Sequence, residues 1–447
     1  MSLPATNRKI TLLQATAINM IDMVGIGPFV VMPFVVAQFG DGLFIWAWIF
    51  GAFTAFADGM IWSELGARFP LAGGTYNFHR LTFGPRFGRL MSFLFVWQTS
   101  FQAPLVVASA AIGFSHYLTY LVQLSPVEQK LVSSGLILLV LFLLYRRIES
   151  IGRISVGFGI LVMVTILWIV VSGFTHRQQE INWWPSGSSS FFQFSFWAAI
   201  AHGSIKSVYS YLGYYNVCHL GGEIRRPEVN IPRSIFISIA IIAVLYLLMN
   251  TAVMSVVPWQ SVRADDKYLV STFMEKLHGP LAGKAVTVLI LAAALSSLFA
   301  VVLGYSRVPY AAAVDGNYFP VFARLHPTKN FPHISLLVLC GTGLLVSLFL
   351  NLSQLITAIL AMRILVQFIA QGVGVWLLHA NSKKEALPFR MWLFPLPVIV
   401  SIATWIFLLV STGWFACWGL LIALTGVIVF GLTNREPRAP GNLELDS

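Results

Sequence analysis

The stretch "IDMVGIGPFVVMP", residues 21–33, interrupts the first long apolar run of the chain. It places an aspartate, two glycines and a proline where a membrane-crossing helix is expected to be plain and apolar. Glycine loosens the helical backbone, and proline removes an N–H donor from the hydrogen-bond ladder. The stretch therefore predicts either a kink in a membrane helix or a functional break.

The composition places this run in a membrane protein. Of the 447 residues, 57% are hydrophobic and only 10% are charged, which is too apolar for a soluble globular protein. The apolar runs are long and continuous, whereas the strands of a membrane β-barrel are short and alternate in polarity. We therefore expect an all-α polytopic membrane protein.

Twelve apolar runs are long enough to cross a hydrocarbon core of about 30 Å, which takes about 20 helical residues. They cover residues 10–38, 42–66, 87–121, 129–146, 152–174, 191–221, 233–257, 282–313, 334–351, 354–379, 392–412 and 414–433. Little sequence is left between them, so no sizeable soluble domain is expected.

The distribution of lysine and arginine predicts the orientation. Most of them, including Arg68, Arg86 and Arg225, fall on the side that holds the N-terminus. The positive-inside rule places that side in the cytoplasm, together with both terminal segments, 1–9 and 434–447. The cell membrane is the expected location. The net charge of +11 reflects this bias and attraction to anionic lipid, so no nucleic-acid partner is implied.

The remaining reactive side chains do not suggest an enzyme. Cys218, Cys340 and Cys417 lie in or beside predicted helices, where they are expected to act as small hydrophobes, so no metal site or cofactor is predicted. The histidines are scattered, and no nucleophile with a neighbouring base is visible. No repeated filter loop supports a channel.

A second predicted span is interrupted in the same way as the first. It contains "YSYLGYYN", residues 209–216, with Gly213 in its middle, and it lies five spans after the first interruption. Matched interruptions are typical of an inverted repeat with discontinuous helices one and six. We therefore predict a first five-helix repeat at 10–174, a second at 191–379 and two further helices at 392–433.

A broken membrane helix exposes backbone groups that can bind charge. The N–H groups at the start of a half-helix favour an anion, and the carbonyl end of a half-helix favours a cation. A zwitterion such as an amino acid offers both charges. The alternative is that glycine and proline only kink packed helices, but the matched pair of interruptions favours the functional explanation.

Four motifs resemble the amino acid, polyamine and organocation (APC) transporter superfamily. They are "GIGPF" at 25–29, "SELGARFPLAGGTY" at 63–76, "GGEIRRPEVNIPRSI" at 221–235 and "SRVPYAAAVDGNYFPVFARLHP" at 306–327. The resemblance implies a leucine-transporter-like fold and a secondary active transporter that moves amino acids or related amines by alternating access. A polyamine or cationic amine transporter or exchanger of the same fold, and a transport-inactive sensor, remain open alternatives.

The resemblance also implies roles for residues at the two interruptions. The substrate carboxylate is assigned to the backbone around Gly25, Ile26 and Gly27. The amino group is assigned to carbonyls around Ser210, Tyr211 and Gly213, and an aromatic gate to Tyr209 or Tyr215. The chain departs from the family at Ile26, where many relatives carry Ser or Ala, and at Pro28, which lacks an N–H donor.

Four charged side chains lie inside predicted spans, where charge is costly and usually faces the bundle interior. They are Asp22, Asp58, Lys206 and Arg363, and all four are candidates for coupling transport to a proton or counter-substrate. Asp22 is also a candidate contact for a cationic substrate group. Helix five lacks the lysine of proton-coupled relatives, so Lys206 could replace it. Mutual pairing of Asp58 and Arg363, or snorkelling, is the structural alternative.

Polar residues on helix three complete the candidate site. Gln98 and Gln102 are one helical turn apart, and helix three lines the cavity in the family that the chain resembles, so they are candidates for side-chain recognition. A packing role is equally compatible with the sequence. Ser296 and Ser297 on helix eight match a region that holds sodium in some relatives, but hydroxyls there also join helices. Whether a partner subunit exists is not predictable from the sequence.

Overall fold

The structure is a computed structural model that describes residues 10–39, 42–71, 73–145, 151–181, 183–184, 190–329, 331–381 and 388–433. Its helices are α1 Leu12–Val24, α2 Gly27–Val36, α3 Ile45–Arg68, α4 Thr75–Thr82, α5 Pro85–Leu121, α6 Pro126–Leu144, α7 Ile151–Thr175, α8 Phe194–Tyr211, α9 Asn216–His219, α10 Pro227–Met254, α11 Leu269–His278, α12 Pro280–Val314, α13 His333–Phe349, α14 Leu352–Arg363, α15 Ala370–Asn381, α16 Leu396–Ser411 and α17 Trp414–Thr433. Among the described residues, the only β-type pairing is a bridge between Ile10 and Ile224.

Within the described part of the chain, seven helical segments are long and apolar enough to cross a bilayer, which confirms a polytopic membrane protein. They are Gly42–Arg68, Pro85–Leu121, Pro126–Leu144, Pro227–Met254, Pro280–Val314, Leu352–Ala380 and Trp414–Thr433. Each of the twelve predicted runs contains helix, but the remaining segments are shorter, bent or less apolar, so the count of twelve spans stays a prediction. The terminal segments 1–9 and 434–447 lie outside the described residues.

The outermost helices show the surface expected against lipid. In α17, for example, Leu424 is 60% exposed and Ile428 is 61% exposed. Only Gly419 and Gly426 of this helix are buried. Since α17 and its neighbours present apolar side chains outward, the molecule's exterior matches a hydrocarbon environment.

Both predicted interruptions are present in the structure. The chain bends by 46° between α1 and α2, where Gly25 and Ile26 leave the helix. The second interruption separates α8, which ends at Tyr211, from α9, which begins at Asn216. We call the residues 25–26 the first break and the residues 212–215 the second break.

The two breaks lie at the centre of the helix packing. α1 packs against α7 and α10, and α8 packs against α2 and α3. α5 packs against α12, α13 and α14, while α14 also contacts α8 and α12 also contacts α1. The broken helices are therefore enclosed by long continuous ones.

The span predicted at 354–379 is not a uniform helix. α14 and α15 are joined by a π-helical stretch, Ile364–Ile369, whose wider turn leaves a backbone carbonyl available. The ring of His79, on α4, lies with Nε2 2.6 Å from the carbonyl oxygen of Val366. The short helix α4 lies in a predicted loop, so this contact was not expected from the sequence.

Candidate functional site

A narrow cavity of about 70 Å³ lies between the two breaks. Eight residues singled out in the sequence line it: Asp22, Ile26, Gly27, Tyr209, Gly213, Tyr215, Ser297 and Arg363. The sequence did not single out the other lining residues: Met23, Val106, Ala110, Leu212, Val301, Tyr305 and Ile359. The structure therefore brings the centres of both interruptions to one place.

The cavity has one negative and one positive side chain. Asp22 lies in the last turn of α1 and is partly open to the cavity, whereas Arg363 ends α14 and is only 5% exposed. No ion pair within 4.0 Å joins these two described residues. Each charge therefore remains available to a bound molecule.

Arg363 is held in place by aromatic side chains. Its Nη2 donates a hydrogen bond to the hydroxyl of Tyr305. Its guanidinium carbon lies 5.7 Å from the ring centroid of Tyr215 and 5.8 Å from that of Tyr305. Such contacts orient a guanidinium without neutralising it.

Two glycines allow the chain segments around the cavity to approach one another. Gly213 has a φ of 120°, and a Cβ built there would lie 2.9 Å from Asp22 Oδ2. Gly25 has a φ of 34°, and its Cβ would lie 2.8 Å from Ser297 Oγ. Both the backbone conformation and the close contact therefore require glycine. Gly213 puts the second break directly against Asp22.

The start of α2 offers backbone donors to the cavity. The first intrahelical bond runs from Val30 N to Ile26 O over 3.3 Å, so the N–H groups of Gly27 and Phe29 have no helical partner. Pro28 contributes no donor, as the sequence indicates. An anion at this end is favoured by the free N–H groups and by the helix dipole.

Tyr246, on α10, joins the two breaks and was missed in the sequence. Its hydroxyl lies 2.8 Å from the carbonyl oxygen of Met23 and 3.1 Å from that of Ser210. These carbonyls belong to the ends of α1 and α8. A lone tyrosine in an apolar run carries no sequence signal for such a bridge, because its partners are backbone atoms.

Ser210 and Tyr211 are not among the cavity-lining residues. The Ser210 carbonyl already accepts from Tyr246. Tyr211 is fully buried, with its ring centroid 6.3 Å from Trp48 and 5.2 Å from Tyr246. The Ser210 carbonyl and the Tyr211 ring therefore contact the helices packed around the second break and do not face the cavity.

The two candidate gate tyrosines do line the cavity. The hydroxyls of Tyr209 and Ser109 are 2.9 Å apart, which ties α8 to α5. Tyr215 stacks on Trp62 with ring centroids 4.3 Å apart and an interplanar angle of 16°. Both rings are therefore fixed walls of the cavity in this conformation.

Gln98 and Gln102 are buried on α5 but do not line the cavity. Val106 and Ala110, the next turns of α5, take that position. Neither glutamine amide makes a hydrogen bond of normal geometry within the described part of the chain. Their part in side-chain recognition stays a prediction.

Lys206 and Asp58 also lie outside the cavity lining. Lys206 Nζ donates to Ser353 O at 2.7 Å and to Thr357 Oγ1 at 2.9 Å, both on α14. The Asp58 carboxylate is fully buried among neutral donors, one of which is Tyr214 at 2.5 Å. Neither side chain pairs with Asp22 or Arg363 within 4.0 Å, all four being described residues. The described residues contain no cluster of three or more metal-ligating side chains.

Comparison with known proteins identifies similar sequences. Residues 10–432 match the amino acid permease family. The chain is 26% identical to the serine/threonine exchanger SteT of Bacillus subtilis, over 96% of this chain and 98% of that protein. It is 27% identical to the human large neutral amino acids transporter small subunit 2, over 96% of this chain and 81% of that protein. A mouse protein, cationic amino acid transporter 4, is 25% identical over 78% of this chain, which spans only 56% of that relative.

Proposed function

The chain belongs to the amino acid permease family, and from that premise we propose that it exchanges small neutral amino acids across the cell membrane. It is a multi-pass membrane protein and an amino acid transporter, since the family and its relatives are transporters rather than enzymes. We propose three further properties: exchange as the mode of transport, the substrate class and the residues that bind the substrate.

One observation carries the proposal: Asp22 and Arg363 line the same cavity without pairing with each other. We assign the substrate's ammonium group to Asp22. We assign its carboxylate to Arg363 and to the free N–H groups at the start of α2. A zwitterion satisfies both side chains at once, whereas a group with one charge leaves the other side chain uncompensated in a buried site.

The rest of the lining favours a small neutral side chain. Val106, Ala110, Leu212, Val301 and Ile359 are apolar, and Asp22 is the only acid among the described residues of the lining. A cationic amino acid or a polyamine brings a second positive charge that no lining carboxylate would meet. The cavity of about 70 Å³ also has room for only a few water molecules. The cationic alternative is therefore disfavoured.

The proposed architecture supports alternating access. We propose twelve spans, with inverted repeats at 10–174 and 191–379, helices eleven and twelve at 392–433, and both termini in the cytoplasm. The two breaks occupy corresponding positions in the proposed repeats. Exchange against a second amino acid is supported by the name of the bacterial relative, a serine/threonine exchanger. Proton coupling through Asp22 remains the competing mode.

Counterflow in liposomes tests this function. Purified protein is reconstituted into vesicles loaded with L-serine, and uptake of radiolabelled L-serine is compared with uptake into empty vesicles. We expect saturable uptake that requires internal amino acid and is competed by L-threonine but not by L-lysine or putrescine. Uptake that needs a pH gradient instead of internal amino acid would replace exchange by proton coupling.

A binding measurement separates a transporter from a transport-inactive sensor. Ligand at 100 times its dissociation constant stabilises a protein by about 2.7 kcal/mol, which gives a measurable thermal shift. A thermal shift with L-serine together with no counterflow would favour the sensor. No shift and no flux with any neutral amino acid would overturn the proposed substrate class.

A further inference from the structure

A buried carboxylate outside the cavity lining accepts a hydrogen bond from the second break. Asp58, on α3, is fully buried and accepts four hydrogen bonds. The donors are Trp62 Nε1 at 2.8 Å, the Tyr214 hydroxyl at 2.5 Å, the Ser401 hydroxyl at 3.1 Å and Trp405 Nε1 at 3.0 Å. All four are neutral groups, and no described cation lies within 4.0 Å.

The two oxygens of this carboxylate face different parts of the molecule. Oδ2 accepts from Tyr214, which is part of the second break, and from Trp62. Oδ1 accepts from Ser401 and Trp405, which both lie on α16. Asp58 therefore links the second break to two continuous helices, α3 and α16.

The Oδ2 side reaches the cavity through one layer of side chains. Tyr214 is flanked by Gly213 and Tyr215, and both of these line the cavity. Trp62 stacks on Tyr215 with ring centroids 4.3 Å apart. The Oδ2 contacts therefore connect Asp58 to two residues of the cavity wall, Gly213 and Tyr215.

The Oδ1 side reaches Tyr215 only indirectly. The Trp405 ring stacks on Phe368 with centroids 4.0 Å apart, and the Phe368 centroid lies 6.0 Å from that of Tyr215. Among the described residues, the Ser401 hydroxyl donates its hydrogen bond to Asp58 and makes none to the second break. Ser401 therefore offers a control donor on the same carboxylate.

A carboxylate in this position needs a functional explanation. A charged side chain at membrane depth is costly, and one with no counter-ion is held only by its hydrogen bonds. A non-helical segment at that depth also needs protein groups to fix it, since the helix ladder no longer does. The four-donor arrangement meets both needs at once.

We propose that Asp58 is a positioning residue that holds Tyr214 and Trp62, and so sets where Gly213 and Tyr215 meet the substrate. The inference rests on the proposed function and deepens it, since it assigns Asp58 to substrate affinity rather than to coupling. Asp58 itself does not touch the substrate. Its effect passes through the second break.

The test compares two variants that each remove one hydroxyl from the same carboxylate. Tyr214→Phe removes a donor that belongs to the second break, and Ser401→Ala removes one that belongs to α16. We expect Tyr214→Phe to raise the KM for L-serine counterflow about tenfold, as the loss of a hydrogen bond to a charged group would. We expect Ser401→Ala to lower Tm about as much as Tyr214→Phe lowers it, because each variant loses one hydrogen bond to the same carboxylate. The KM of Ser401→Ala should stay within about twofold of wild type.

Asp58→Asn adds a second measurement. An asparagine offers one acceptor and one donor, so it cannot serve both the α16 donors and the donors at Oδ2. We expect Asp58→Asn to raise the KM for L-serine as much as Tyr214→Phe does, while its maximal transport rate stays near that of wild type. If Asp58→Asn does not fold, the pair Tyr214→Phe and Ser401→Ala still decides the matter.

Two results would overturn the inference. One is an equal change in KM in Tyr214→Phe and Ser401→Ala, which would make the cluster a purely structural support. The other is a wild-type KM with altered pH dependence in Asp58→Asn, which would return Asp58 to a coupling role. Failure of the wild-type protein to transport L-serine is a separate outcome and would concern the proposed function.

Discussion

The two breaks differ in the position of the acidic side chain that lies next to each of them. At the first break, Asp22 is partly open to the cavity and Gly213 of the opposite segment packs against it. At the second break, the acid Asp58 lies outside the cavity lining, and its carboxylate accepts four hydrogen bonds. The first break therefore has an acidic side chain available to a ligand, whereas the acid at the second break is used to hold the backbone segment in place.

The difference in length follows the same division. The first break takes two residues before α2 resumes, so a free helix N-terminus faces the cavity. The second break takes four residues and leads only to the four-residue helix α9. We infer that substrate charge is recognised mainly at the first break and at Arg363, whereas the second break sets the fit.

Replacing Asp22 should have the largest effect. Asp22→Asn removes the one carboxylate among the described lining residues, so the substrate ammonium loses its charged partner in a buried site. We expect the kcat/KM of L-serine counterflow to fall by at least about 100-fold. The control is Asp265→Asn, because Asp265 forms an exposed ion pair with Arg263 at 3.3 Å and such pairs contribute little. If Asp22→Asn transported L-serine as well as wild type does, the assignment of the substrate ammonium to Asp22 would be wrong.

Adding one methyl group at the second break should have the next largest effect. In Gly213→Ala the Cβ meets Asp22 at 2.9 Å and the residue must adopt a φ of 120°. We expect about a 30-fold loss of transport, since a misplacement at a binding site is costly. Gly304→Ala is the matched control, because its Cβ would meet nothing within 4 Å. An equal loss of transport in Gly213→Ala and Gly304→Ala would show that transport is sensitive to glycine replacement in general and not to the contact with Asp22.

Uncoupling the two breaks should have an intermediate effect. Tyr246→Phe keeps the ring but removes the hydroxyl that donates to both half-helix ends. We expect about a fivefold fall in kcat/KM and a lower Tm, in line with the loss of one shared hydrogen bond. Tyr310→Phe serves as control, since Tyr310 lies on α12 and is not among the residues that line the cavity. Unchanged kinetics in Tyr246→Phe would mean that the breaks are held independently.

The smallest effect is expected at helix three. Gln102→Leu changes a fully buried amide that lies outside the cavity lining. We expect the ratio of KM values for L-serine and L-leucine to change by less than about threefold, whereas Val106→Phe, at the lining, should change it more. A large shift in that ratio for Gln102→Leu would favour the sequence-based assignment of this residue to side-chain recognition.

The sequence predicted an all-helical membrane protein and the two breaks because both are local properties. Apolar runs and the glycines of the breaks are visible in order along the chain, and seven cavity residues follow from them or from the cost of buried charge. Gly25 and Gly213 marked the breaks in the sequence, and the close approach at each of them is visible only in the structure.

The rest of the site depends on which helix faces which, and that information is not local. Tyr246 and Tyr305 resemble any other tyrosine in an apolar run, and only the packing brings them to a carbonyl or to Arg363. Lys206 lies one turn before a break in the sequence, yet its side chain extends to α14. The contact of His79 with the π-helical stretch after Arg363 is likewise set by packing rather than by local sequence.

The most direct test of the central claim compares L-serine with analogues that lack one charge each. Ethanolamine keeps the amine without the carboxylate, and glycerate keeps the carboxylate without the amine. If Asp22 and Arg363 bind a zwitterion together, each analogue should compete with radiolabelled L-serine at least about 100-fold more weakly than unlabelled L-serine does. Competition by either analogue as strong as that by L-serine would contradict the account.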